Sequence, residues 1–285
     1  MAVLQHTSDP QARHPSRYWA DLDDPTTADK TAAVADAYMD VVIEAIVNHP
    51  RSLQTAIGPS ELGITCTVAL LHKLNGDPEP PRNDVPWRPT VGTGVHAWLE
   101  DAFDAEGTRR GGDPLRYLTE RRLTIGTIAG TSVTGSCDLF DLQEQVVIDH
   151  KVVSPNSLRK YRSQGPSQQY RIQAHLYGKG WQDAGIKPHL VAICFLPAAG
   201  DLTDAYLWSE PYRRGIAEHA LERANQLAME IAVHGIDQAL AQHINDPCED
   251  SFCAWHNHGY RNAGAAKTPT APAPPAGSPW AQFAS

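Results

Sequence analysis

Two short apolar segments separated by a polar break constrain the fold most strongly. Residues 131–142 and 146–153 both suit strands, and residues 143–144 lie between them. Strands joined by so short a connection pair antiparallel. If the chain turns at 143–144, Asp138 lies directly opposite Asp149 on one face, with side-chain roots about 5 Å apart. Gln-Glu is not typical of two-residue turns, so a longer loop with a shifted register is the alternative.

Lys151 lies two residues beyond Asp149 and is predicted to share that face. Two close carboxylates repel each other unless a cation lies between them, and Mg²⁺ and Mn²⁺ prefer carboxylate oxygens. A bound cation would activate a water, and Lys151 would orient that water or neutralise a phosphate. The alternative is a surface salt bridge between Lys151 and the two aspartates. The apolar run before Asp149 favours a functional site, because a charge placed there costs burial energy.

The remaining elements are predicted from hydrophobic periodicity. Helical spacing occurs in five segments, at about 28–48, 60–74, 93–106, 167–184 and 211–242. Strand-like runs occur in three further segments, at about 121–128, 190–196 and 205–208. This succession of strands and helices indicates an α/β protein.

The two ends differ in composition from the middle of the chain. Residues 1–27 are polar and rich in Pro and Asp, and residues 261–285 are rich in Ala, Pro and Thr. We expect a poorly ordered arm and a disordered tail on either side of one domain, 28–260. No apolar run approaches the roughly 20 residues that span a bilayer. The first residues lack the features of a secretory signal, so we expect a cytoplasmic protein without membrane contact.

Two predicted helices carry polar side chains at helical spacing. His96 and Glu100 are four residues apart and share a helix face. His96 would add a metal ligand, and Glu100 would orient it or hold a metal-bound water. Gln173 and Tyr177 form a second stripe that suits contacts to a phosphate or a nucleotide edge. Ordinary amphipathic helices are the alternative for both stripes.

The charge distribution limits how the chain could contact nucleic acid. The net charge of −9 argues against a protein that coats nucleic acid through a global positive field. A local strip could still hold a phosphate backbone, and Arg159, Lys160 and Arg162 are the candidates. The alternative is a solvated helix face.

Four short motifs occur in a fixed order along the chain: Gly-Thr-x-x-His96-x-x-Leu-Glu100, Gly-Ser-Cys-Asp138, Val-Ile-Asp149-His-Lys151 and Gln173-x-x-x-Tyr177. Together they resemble the RecB-like nucleases of the PD-(D/E)XK superfamily. The resemblance is strongest to the CRISPR-associated RecB-like exonucleases and their phage relatives, and it extends over residues 60–256.

The resemblance implies a central mixed sheet flanked by helices, in a restriction-endonuclease-like core. It implies that Mg²⁺ or Mn²⁺ is held by His96, Asp138, Asp149 and the backbone carbonyl of His150. Lys151 would then be catalytic, and Gln173 and Tyr177 would lie beside DNA. The implied function is a metal-dependent DNA exonuclease acting on single strands or ends, in recombination, repair or phage DNA metabolism.

Two other functions stay open. One is a non-catalytic DNA-binding or assembly module on the same fold, although a binding-only relative need not keep Asp138, Asp149 and Lys151. The other is a hydrolase of a non-nucleic phosphate ester. The sequence has no Gly-x-x-x-x-Gly-Lys-[Ser/Thr] loop, so a helicase or recombination partner would be a separate chain.

The cysteines indicate a second metal site. Five cysteines without an export signal do not predict a disulfide framework. Relatives in the resembling family hold an iron–sulfur cluster with one early and three late cysteines. Here Cys66 matches the early position, Cys248 and Cys253 match two late ones, and His256 (or His258) takes the third. Three thiolates and an imidazole also suit Zn²⁺, so the metal is left open. The other two, Cys137 and Cys194, lie in predicted strands as buried thiols.

Overall fold

The computed structural model describes residues 25–49, 57–80, 85, 87–109, 116–248 and 253–255. Most of the predicted arm, the whole predicted tail and His256 lie outside these residues. The contacts divide the chain into two compact units, Met1–Gln54 with Pro81–Thr90, and Thr55–Pro80 with Val91–Ser285.

The first unit contains helix α1 (Pro25–Val47). It begins at Pro25, inside the predicted arm, and proline is favoured at the first position of a helix because it has no N–H to leave unpaired. Val34, Tyr38 and Val41 are exposed on this helix. Across the described residues, no helix is long and apolar enough to cross a membrane.

The second unit is built on a five-stranded sheet. Its strands are β1 (Tyr117–Ile128), β2 (Thr131–Asp141), β3 (Val146–Val153), β4 (Leu190–Pro197) and β5 (Tyr206–Pro211). They lie in the order β1-β2-β3-β4-β5. The β3–β4 pair is parallel and the other pairs are antiparallel. The predicted α/β class with a central mixed sheet is therefore confirmed.

Seven helices follow α1 in the described residues. They are α2 (Pro59–Leu62), α3 (Thr67–Asn75), α4 (Trp87–Arg109), α5 (Pro155–Gln164), α6 (Gln168–Asp183), α7 (Arg214–His234) and α8 (Ile236–His243).

Two predicted helices are each divided in the structure. The segment predicted as one helix at 60–74 forms α2 and α3, because Cys66 is the N-cap of α3 and its sulfur accepts from the Ala69 N–H. The segment predicted at 211–242 forms α7 and α8, because Gly235 adopts a φ of 81° between them. A left-handed residue cannot continue an α-helix. Helix α5 was not predicted as a separate element.

The hairpin of β2 and β3 has the predicted register. Leu139 lies opposite Ile148, Phe140 opposite Val147 and Asp141 opposite Val146. The connecting loop spans 142–145 and is longer than a two-residue turn. Asp141 holds this loop, because its Oδ1 accepts hydrogen bonds from the backbone N–H groups at 143 and 144.

Helix α6 contributes to both main clusters of the core. Its Leu176 packs with buried residues of α3, α7 and the β1–β2 end, among them Ile125. Its Tyr177 and Trp181 pack with strand residues such as Phe140. Burial of a large apolar side chain contributes roughly 1.5–3 kcal/mol. The position of α6 over the sheet is thus fixed by apolar contacts.

Close backbone approach also fixes α2 against α6. A Cβ added at Gly63 would lie 2.5 Å from the Gln169 carbonyl oxygen. Gln169 in turn donates to the Ser60 carbonyl oxygen at 2.9 Å. Only glycine fits at position 63, because the obstacle is backbone.

We expect Gly63→Ala to lower the free energy of unfolding by about 1–3 kcal/mol through overpacking. Gly215→Ala is the control, since Gly215 lies inside α7 with nothing within 4 Å of the added Cβ. It should leave stability unchanged or raise it by up to about 1 kcal/mol. Urea unfolding measures both, and equal effects would contradict the packing argument.

A partly buried polar network joins α6 to β5. Arg171 donates two hydrogen bonds to Glu210, and His175 Nε2 lies 2.8 Å from the same carboxylate. The Arg213 N–H donates to His175 Nδ1 at 3.2 Å, so Nε2 carries the proton of a neutral imidazole. Burial lowers the pKa of His175 in agreement. Burial alone would raise the pKa of Glu210, but Arg171 and His175 outweigh it and lower that pKa.

Because the pKa of Glu210 is lowered by folding, its contribution to stability is full above the unfolded value of about 4.3 and is lost as pH falls through the folded value. We expect Glu210→Gln to destabilise the protein by about 1–3 kcal/mol at neutral pH. The difference from wild type should shrink below about pH 4. Glu218→Gln, which breaks an exposed pair with Arg214, should change stability by less than about 1 kcal/mol. Thermal melts across pH test this, and a pH-independent difference would count against it.

Candidate active site

The site lies where β2 and β3 stop pairing. Leu139 and Ile148 form the last pair. At the next step the His150 backbone N–H donates to Asp138 Oδ2 at 2.7 Å. Asp138 and Asp149 stand at the next step of the predicted register but outside the paired ladder, since the Asp138 side chain accepts from the N–H of the neighbouring strand. Their charges still interact, since Asp138 raises the pKa of Asp149.

His96 reaches this point from α4. Its Nδ1 lies 3.6 Å from Asp138 Oδ1, and its Nε2 lies 3.1 Å from the His150 carbonyl oxygen. Burial disfavours the imidazolium, but Asp138 outweighs burial and raises the pKa of His96. The His150 ring packs against Phe103 of α4, and burial lowers the pKa of His150 to about 4. The His150 backbone carbonyl thus contacts His96, and the His150 ring packs against helix α4.

Asp149 is 1% exposed. Its Oδ2 is paired with the Lys151 ammonium at 2.5 Å, whereas its Oδ1 has no hydrogen-bond partner within the described residues. Burial raises the pKa of Asp149 to about 6, with Lys151 acting against burial. A buried carboxylate with an oxygen that lacks a partner has the donor chemistry that a hard cation requires.

Lys151 is supported by aromatic side chains. Its ammonium lies 5.1 Å from the centre of the Tyr170 ring. The Tyr170 and Tyr161 ring centres are 5.9 Å apart, and Tyr161 stacks on Phe195 at 4.5 Å. The sequence analysis did not identify Tyr170. Its position three residues before Gln173 on the same helix was the available signal.

Gln173 and Tyr177 lie one helical turn apart on α6. Both are buried. Burial, followed by the charges of Asp149 and Asp138, raises the pKa of Tyr177. The structure thus brings the predicted α6 pair beside both aspartates. A contact of this pair with DNA stays a prediction.

Glu100 lies among acidic residues at the edge of the site. Slight burial and the charges of Glu120, Asp104 and Asp101 raise the pKa of Glu100. Glu120 of β1 was not identified from sequence. Its carboxylate, Asp138 and the His96 ring have potential ligand atoms within 4.8 Å of one another.

The predicted basic strip lies on α5, directly after β3. Arg159, Lys160 and Arg162 are exposed. Arg159 donates to Asn156, and Arg162 donates to the Asp204 carbonyl oxygen at 2.6 Å. None of these three residues is grouped with Asp138 and Asp149 in the structure, and their contact with DNA stays a prediction.

Three of the predicted sulfur ligands converge at a separate place. The sulfurs of Cys66, Cys248 and Cys253 lie within 4.8 Å of one another, and Cys66 and Cys253 are 3.7 Å apart. Burial and the neighbouring thiols raise the pKa of Cys66 to about 12. The expected fourth ligand, His256, lies outside the described residues.

Of the other two cysteines, Cys137 is fully buried, as predicted, and accepts from Trp181 Nε1 at 3.4 Å. Cys194 is half-buried rather than buried.

No protein-family model matches this chain, and no curated protein matches it significantly. Two solved structures are similar to it. One is the crystal structure of LHK-Exo in complex with dAMP, at 13% identity and a TM-score of 0.41, covering 66% of this chain and 93% of that one. The other is a candidate exonuclease from Eubacterium rectale, at 14% identity and a TM-score of 0.41, covering 78% of this chain and 93% of that one. Both TM-scores are below 0.5.

Proposed function

We propose that this chain is a metal-dependent DNA nuclease, acting as an exonuclease on single strands or ends. One observation carries the proposal. Asp149 is buried beside a second carboxylate and an imidazole; its Oδ2 is paired with the Lys151 ammonium, and its Oδ1 has no hydrogen-bond partner within the described residues. Such an arrangement is costly for a protein that only binds, because a desolvated carboxylate destabilises the fold.

The donor set fits Mg²⁺ or Mn²⁺. Asp138 and Asp149 offer carboxylate oxygens, His96 offers an imidazole, and the His150 carbonyl lies 3.1 Å from that imidazole. Hard cations take such oxygens readily, and imidazole suits Mn²⁺ as well. When bound, the cation supplies a more acidic water and stabilises charge on a phosphodiester under attack.

The protein's own groups have distinct roles in this proposal. The His150 N–H holds Asp138 in position. Lys151 places a positive charge where the phosphate or the attacking water would lie, and Tyr170 supports the ammonium through its ring face. Gln173 and Tyr177 of α6 would contact the nucleotide. On α5 three exposed basic residues would hold the phosphate backbone: Arg159, Lys160 and Arg162.

We expect Asp149→Asn and Lys151→Met each to lower cleavage of labelled single-stranded DNA about 100-fold or more with Mg²⁺ or Mn²⁺. Asp237→Asn and Lys187→Met change exposed residues elsewhere and should leave cleavage at the wild-type level. EDTA should abolish activity. Undiminished cleavage by Asp149→Asn, or activity in EDTA, would overturn the proposal.

The same assay separates the alternative functions. DNA binding without cleavage by the wild type would indicate the non-catalytic module. Hydrolysis of a nitrophenyl phosphate without DNA cleavage would indicate a phosphate-ester hydrolase. Cleavage of linear but not circular single strands would support the exonuclease, and a separate helicase or recombination protein remains the proposed partner.

We also propose that Cys66, Cys248 and Cys253 hold an iron–sulfur cluster or Zn²⁺ together with His256. The convergence of three sulfurs from distant positions supports this.

We expect Cys253→Ser to lower the bound iron or zinc at least about tenfold and to lower the melting temperature, because ligand binding contributes to folding. Cys194→Ser, outside the three-sulfur group, is the control and should keep the metal. Elemental analysis gives the metal, and visible absorption separates a cluster from zinc. Equal metal content in the two variants would contradict the assignment.

A further inference from the structure

We propose that Glu120 is an additional ligand in this centre, and that His96, Glu120 and Asp138 form a divalent-cation subsite distinct from the Asp149 oxygens. The inference rests on the proposed function and names a residue outside the four sequence motifs.

Glu120 and Asp138 are omitted from the β1–β2 ladder at the same step. Thr119 pairs with Leu139 and Arg121 pairs with Cys137, which leaves Glu120 and Asp138 between two pairs. Glu120 has a φ of 43°, which is uncommon for a residue with a side chain. Its carboxylate, Asp138 and the His96 ring present ligand atoms within 4.8 Å of one another.

An irregularity in β1 creates this juxtaposition. Near the tight turn, Ile128 pairs with Thr131, and a regular ladder from there would bring Arg121 opposite Asp138. The register shifts between Thr124 and Gly126, so Glu120 lies opposite Asp138 instead of Arg121. A β-bulge of this kind commonly re-aims a side chain beside an active site.

Gly126 allows the bulged strand to approach α7. A Cβ added at Gly126 would lie 2.6 Å from a methyl carbon of Leu221. Because of the register shift, Glu120 and not Arg121 lies opposite the Asp138 carboxylate, so a negative side chain takes the place of a positive one. Such an exchange destabilises the protein alone and stabilises a bound cation.

The charges around Glu120 favour a cation. Among the described residues, no Lys or Arg forms an ion pair with Glu120. The independent observation is Asp149, which is 1% exposed, feels the charge of Asp138, and has no hydrogen-bond partner for its Oδ1 within the described residues. Asp138 is thus shared between two groups of oxygen ligands.

Mn²⁺ binding without DNA tests the subsite. Calorimetry and the electron paramagnetic resonance signal of free Mn²⁺ give affinity and stoichiometry for wild type and variants. We expect Glu120→Gln to weaken Mn²⁺ binding about tenfold or more. Asp149→Asn should keep one Mn²⁺ site, and the double variant should lose it. Glu222→Gln, at an exposed position on α7, is the matched control and should bind as wild type does.

Wild-type affinity and stoichiometry in Glu120→Gln would overturn the inference. Circular dichroism without metal shows whether that variant folds. If it does not fold, Asp149→Asn, which keeps Glu120, provides the second measurement. Mn²⁺ should broaden the His96 imidazole resonances of Asp149→Asn at one equivalent, and unbroadened resonances would overturn the inference.

The failure of this inference differs from the failure of the proposed function. DNA cleavage by the wild type together with unchanged Mn²⁺ binding in Glu120→Gln would remove the subsite alone. Weakened Mn²⁺ binding in Glu120→Gln without any DNA cleavage by the wild type would leave the subsite and remove the nuclease.

Discussion

The hydrogen bond from the His150 N–H to the Asp138 carboxylate is the interaction on which the site depends. It stands where the β2–β3 ladder ends, so a side chain replaces the strand backbone as the acceptor. This bond fixes one carboxylate against the neighbouring strand. It also leaves the His150 carbonyl next to the His96 imidazole. A helix and two strands are thereby joined by polar contacts at a single point.

The site brings buried charged side chains close together, which destabilises the fold, so packing elsewhere must keep them in position. Burial of a carboxylate costs several kcal/mol even after relaxation, and Lys151 offsets only part of this at Asp149. Helix α6 covers the site and is held independently of it. Its apolar residues enter both main core clusters, and Arg171 and His175 bind Glu210 on β5. The cost of burying Asp149 therefore does not loosen helix α6.

The hairpin was predictable from sequence because period-two burial and a short connection leave few registers. His96 and the Asp149-x-Lys151 triplet were predictable because their spacing fixes the faces they share. Glu120 was not identified, because the one-residue register shift between Thr124 and Gly126 is visible only in the paired sheet, although a glycine inside a strand is a signal for a bulge. Cys66 was predicted to lie inside one helix that begins at Ser60, because the cap that begins α3 is the sulfur of Cys66 itself, which is not a common cap residue.

The segment that precedes Cys66 connects the three-sulfur site to the site of Asp138 and Asp149. Arg223 of α7 donates to the backbone carbonyls of Ile64 and Thr65, and Gly63 packs directly on α6 at Gln169. A metal bound at Cys66 would hold this segment from one end, while α6 holds it from the other. Because α6 is also anchored to β5, a loss of the metal should loosen α2 and α3 before it displaces Gln173 or Tyr177. The sulfur site therefore contributes to stability more directly than to the geometry of the catalytic groups.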